Sequence, residues 1–72
     1  MMDALDRLEE IAQQRGWLLL VVYLPKKFSW RMEFGPSDKL ISFSEACIED
    51  CAGLMMNHIV TVGLKRMAGE KD

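Results

Sequence analysis

Seventy-two residues, half of them hydrophobic and 28% charged, with a net charge of −2, describe one small globular domain rather than a disordered segment. A core of this size supplies about 3–5 kcal/mol, so a partner chain is the expected supplement, two Cys and one His being thin material for a staple. The pI near 5.3 argues against a general nucleic-acid binder, whose footprint gives a value above about 9.

Charge is unevenly spread. Met1–Gly16 carries four acids and two bases, Trp17–Leu40 two acids and four bases, and Ile41–Asp72 five acids and three bases. The middle of the chain is therefore mildly basic and both flanks are acidic. No basic segment precedes an apolar one with a small-residue cleavage site, and no apolar run reaches bilayer-spanning length. The chain is expected in the cytoplasm, of its own cell or of a host, with reduced thiols and no membrane partner.

Asp3 is a fitting N-cap, followed by Ala4, Leu5, Leu8, Ile11 and Ala12 at helical spacing. Arg15 suits a last turn and Gly16 a left-handed stop, which predicts a helix over Asp3–Arg15. Trp17–Leu24 follows, an uncharged run between Gly16 and Pro25 that reads as a buried strand. Both faces of that strand are apolar: Trp17, Leu19, Val21 and Tyr23 on one, Leu18, Leu20, Val22 and Leu24 on the other.

Pro25-Lys26-Lys27 predicts a hairpin turn. Phe28–Phe34 then alternates, with Phe28, Trp30, Met32 and Phe34 facing the helices and Ser29, Arg31 and Glu33 facing out. Gly35-Pro36-Ser37-Asp38 predicts a second turn and Lys39–Ile41, or slightly more, a third strand. Ser42-Phe43-Ser44-Glu45 fits a capping box with Ile41 and Ala46 as its staple, which starts the last helix near Phe43. Its stripe is Cys47, Ile48, Cys51, Leu54, Met55, Ile59 and Val62. Four β-branched residues at Ile59–Val62 make a terminal strand the alternative, but Leu64, Met67 and a capping Gly69 favour continued helix. Gly69–Asp72 is expected to fray. The fold class is α+β, helix–three antiparallel strands–helix in one domain over residues 1–72, with two helices on one face of the sheet.

Chemistry-bearing constellations are sparse. Cys47, Cys51 and His58 share a helix face, yet with Cys51 and His58 alone about 10 Å apart along a straight helix the three cannot close tetrahedrally on zinc. Glu45, Glu49 and Asp50 disfavour a thiolate at Cys47. The chain holds no G-x-S-x-G and no phosphate loop. Neither catalytic residues nor a metal or other cofactor is expected.

The element order resembles that of the double-stranded-RNA-binding domain. In that family a lysine cluster opens the second helix and contacts phosphates. Here the matching stretch is Ser44-Glu45-Ala46-Cys47-Ile48-Glu49-Asp50, so this mode of RNA binding is disfavoured. Lys26, Lys27 and Arg31 with Trp30 form a small basic spot on the hairpin, the basis of an alternative reading as a nucleic-acid-binding module.

The leading expectation is a non-catalytic module that binds a protein of unidentified kind, acting by surface occlusion or mimicry. The partner surface is expected at Leu18, Leu20, Val22 and Leu24 on the sheet, with Met56 and Val60 on the last helix, and a homodimer is expected because a monomer would expose these side chains. Short, acidic, motif-free chains of this kind resemble accessory proteins of phages and mobile elements, including anti-CRISPR inhibitors. In that reading the acidic edge Glu45, Glu49, Asp50 imitates nucleic-acid phosphates.

Overall fold

The computed structural model describes residues Asp3–Gly69. Helix α1 spans Ala4–Arg15, capped by the Asp3 carboxylate, which accepts from the Asp6 N–H at 2.9 Å. Gly16 ends it at φ 68°, and the Trp17 N–H reaches back to the Ala12 carbonyl at 2.9 Å, closing the last turn in the Schellman manner. Both ends fall where the sequence places them.

Strands β1 (Leu18–Leu24), β2 (Ser29–Gly35) and β3 (Ile41–Glu45) form one antiparallel sheet in the order β1-β2-β3. The register sets Leu19 opposite Phe34 and Val21 opposite Met32, then Met32 opposite Phe43. Helix α2 (Ile48–Val62) and the short α3 (Leu64–Met67) complete the chain. This is the expected α+β order, with the helices on one face of the sheet.

The core lies under the helices and over β2. Leu8 and Ala12 of α1, Met32 and Phe34 of β2, Cys51, Ala52, Met55 and Ile59 of α2, and Met67 of α3 are its buried hydrophobic side chains among the described residues. Neither β1 nor β3 contributes one. The expectation that Trp17–Leu24 is a buried strand is therefore corrected: β2 is the central strand and β1 is an edge. Two successive hairpins place the first strand outermost, and the helix layer is seated on the strand that follows it. Trp17, just before β1, and Leu19 within it do pack on the core, Trp17 edge-on to Phe34 at 5.5 Å between ring centroids and with the Arg15 guanidinium over its ring.

Three local expectations also change. Phe28 does not begin β2. Pro25–Lys27 forms a 3-10 turn, and Phe28 closes it in the left-handed region at φ 50°, 78% exposed. A four-residue loop needs one residue with positive φ to return the chain to the strand, and the position falls on Phe28. Next, Ser42–Glu45 is not a capping box. Ile41 and Phe43 point inward and Ser42 and Ser44 outward, so the segment has strand period and pairs with β2 along five positions. The third strand thus starts at Ile41 instead of Lys39, and α2 starts at Ile48 instead of near Phe43, with Cys47 as an N-cap whose side chain makes no capping bond. Finally, the last helix is not continuous. Ile59–Val62 is helical, and the strand alternative falls, but Gly63 breaks the axis at φ 93° and lets α3 fold Met67 back into the core. The C-cap of α3 is Ala68, and Gly69, expected to cap a continuous helix, follows it at φ 81° with its N–H on the Arg66 carbonyl. Of the tail expected to fray, Glu70–Asp72 lie outside the described residues.

Two phenylalanines that the sequence puts on one face of one strand should behave oppositely. Phe34→Ala is expected to cost about 3–5 kcal/mol, most of the stability of a domain this small. Phe28→Asn, which suits a left-handed residue, is expected to be neutral or stabilising by up to about 1 kcal/mol. Urea unfolding of the two variants against the parent chain checks both.

Candidate functional site

The apolar face expected on β1 is present and open. Leu18, Leu20 and Val22 are 42%, 43% and 50% exposed on the side of the sheet away from the helices, and Leu24 is half-buried beside them. The rest of that face is polar. Arg31 and Glu33 on β2 form an ion pair at 3.0 Å, and the Arg31 Nε donates to the Ser42 hydroxyl on β3 at 3.2 Å. The outer face is thus divided lengthwise, with an aliphatic stripe on the edge strand and a neutralised polar band on the other two.

The helix side of β1 is also incompletely covered. Helix α1 packs mainly on α2 and touches β1 lightly, so Val21 and Tyr23 stay 37% and 44% exposed although they point toward the helix layer. Tyr23 leans on the ring of Trp30, 5.0 Å between centroids. From the sequence these two residues lie on the face of a buried strand opposite Leu18, Leu20, Val22 and Leu24. The signal that could have placed them at the surface is the connectivity, since consecutive hairpins leave the first strand with only one neighbour.

Of the two helix positions added to the partner surface, Met56 packs against the core and Val60 is 79% exposed. Val60 lies in the helix layer, on the opposite side of the sheet from Leu20 and Val22. The structure does not bring it into the β1 stripe.

The basic spot is taken apart by the fold. Trp30 and Arg31 are consecutive strand residues, so Trp30 turns to the helices and Arg31 to the outer face. Arg31 is already paired with Glu33. Lys26 and Lys27 remain exposed at the hairpin tip beside Phe28. The acidic edge, in contrast, is assembled: Glu45 at the end of β3 and Glu49 and Asp50 in the first turn of α2 line one shallow groove with Gly53 and Leu54. Carboxylates in that turn answer the positive end of the helix dipole, which leaves nothing there to attract a phosphate.

The thiols and the imidazole are structural in their surroundings. Cys51 is fully buried, and its Sγ donates to the Trp30 carbonyl at 3.5 Å. Burial pushes its thiol above the ordinary value of 9.0. The neighbouring Asp50 raises the Cys47 thiol above its ordinary value. His58 meets the edge of the Phe43 ring, 6.0 Å between centroids. Among the described residues no three His, Cys, Asp or Glu side chains come together as a metal site, and no helix is long and apolar enough to cross a membrane.

Comparison with known proteins finds no matching family model, no matching curated protein and no matching solved structure. The likeness to the double-stranded-RNA-binding domain therefore stands on element order alone.

A thiol kept neutral by folding stabilises the protein below its unfolded value and stops doing so as pH rises through its folded value. The melting temperature is expected to fall as pH rises past 9.0, the ordinary thiol value, and to fall less in Cys51→Ala. A thiol reagent should modify Cys47 in the native protein and Cys51 only on unfolding, which mass spectrometry of the labelled chain reads directly.

Proposed function

We propose that this protein is a non-catalytic binding module that acts by occupying a surface of a protein partner, with the outer face of β1 as the contact. One observation carries the reading: an uncharged seven-residue edge strand exposes Leu18, Leu20 and Val22 in a row. A contiguous aliphatic stripe bordered by a polar band is the pattern of an interface core and its rim. The seven residues also offer the unsatisfied backbone donors and acceptors of a free edge, which a partner strand can complete.

The acidic edge has a supporting role in this reading. Glu45, Glu49 and Asp50 lie together at one end of the molecule and would steer it toward a basic partner surface, setting orientation and association rate more than affinity. Occlusion of this kind requires no reacting group, and it makes any inhibition stoichiometric. The alternative, nucleic-acid binding at the hairpin, loses support from the geometry, because Arg31 is paired and Trp30 faces the other way.

Affinity capture from the native cell tests the reading. The parent chain should retain a protein partner in high salt, whereas Leu20→Glu combined with Val22→Glu should lose it about tenfold or more at unchanged circular dichroism. Lys26→Ala with Lys27→Ala should leave capture unchanged. Recovery of nucleic acid instead, with affinity falling steeply as salt rises, would overturn the proposal.

A further inference from the structure

We infer that β1 pairs antiparallel with β1 of a second copy of this chain, about a two-fold axis passing beside Val21, so that two three-stranded sheets become one of six strands. The inference rests on the reading of β1 as a contact surface and names one occupant for its edge.

The first argument is electrostatic. A strand that pairs with itself sets each charge against its own copy, and like charges directly opposite are destabilising. Natural edges are commonly protected by charge, Pro or shortness. β1 has none of these over Leu18–Leu24, whereas β3, the other edge, has five residues, alternates serine outward and ends on Glu45. Only β1 is built to be paired, and pairing β1 with β1 closes the assembly at two copies, where β1 against β3 would propagate.

The second argument is complementarity. Centring the pair on Val21 sets Leu18 opposite Leu24 and Leu20 opposite Val22 on the outer face. On the helix face it sets Leu19 opposite Tyr23 and Val21 opposite itself. The helix side of β1 has a covered half, at Trp17 and Leu19, and a bare half, at Val21 and Tyr23. The two-fold axis places the open Tyr23 of each strand beside the Leu19 of the other, which packs on the core, and sets the two open Val21 side chains against each other. A two-fold axis perpendicular to the sheet keeps all the helices on one face, and it joins the two aliphatic stripes on the other into one patch.

The third argument is size. Seven residues at about 3.4 Å each make a strip about 24 Å long, and with a depth of roughly 20 Å from the outer side chains to the helix layer it covers about 500 Å² per copy. The total of about 1,000 Å² reaches the lower bound for a specific interface.

Sedimentation equilibrium of the purified full chain tests the inference. The parent chain is expected at twice the monomer mass in the micromolar range. Val21→Lys should raise the dimer dissociation constant about tenfold or more at unchanged ellipticity. Should Val21→Lys not fold, the exposed outer positions decide: Leu20→Glu/Val22→Glu and Leu20→Lys/Val22→Lys should each be monomeric alone and form a mixed dimer when combined. A parent chain that stays monomeric up to about 100 μM, well above a typical weak dimer constant, overturns the pairing. So does a folded Val21→Lys that dimerises undiminished, or acidic and basic variants that do not combine. Capture of a different protein is scored separately with Val21→Lys, whose change lies on the helix side. A monomeric parent that captures its partner ends only the pairing, and a dimer that captures nothing ends only the reading of the outer face.

Discussion

Burial of Met32 and Phe34 beneath two helices is the contact on which the rest of this structure depends. Both side chains come from β2, the one strand with a neighbour on each side, and they meet Leu8 and Ala12 from α1 and Met55 and Ile59 from α2. Cys51 locks the arrangement by sitting over β2 with its thiol on the Trp30 carbonyl. A 72-residue chain has enough apolar volume for one such layer and no more. The helices therefore centre on β2 and leave one flank of the sheet thinly covered.

That flank is β1, and its composition is what an interior strand would have. In a larger domain a third helix or a fourth strand would seal it. Here the exposed aliphatic side chains on the outer face and the open Val21 and Tyr23 on the helix face lie along a single free edge. Exposing them costs hydrophobic free energy and invites association along that edge. The binding-module proposal and the self-pairing proposal both start from that imbalance. They differ in the occupant, a different protein on the outer face or a second copy of β1 along the edge.

The polar groups that might have carried chemistry are instead spent on local structure. Arg31 neutralises Glu33 and holds Ser42, which ties β2 to β3 on the outer face. Asp3 caps α1, and Glu49 and Asp50 occupy the first turn of α2. Cys47 keeps its proton through Asp50, and Cys51 through burial. His58 is engaged with an aromatic edge.

By itself the sequence determined the helix Ala4–Arg15, from its caps and stripe, and the alternation that sends Trp30, Met32 and Phe34 inward and Arg31 and Glu33 outward. It also determined the element order and the doubly apolar character of β1, because each of these is a local or nearest-neighbour property. Tertiary structure decided the rest. Which strand is central depends on where the helices come to lie, and this turned the expected buried strand into an edge. Whether Ser42–Glu45 caps a helix or extends a strand depended on β2 offering it a ladder, and that long-range pairing overrode a local capping signal. Phe28 left the core because the geometry of a four-residue loop required a left-handed residue at its place. Gly63 broke the last helix because the core had room for Met67 only if the chain turned back. In each case the local pattern was compatible with two outcomes, and packing against distant residues chose between them.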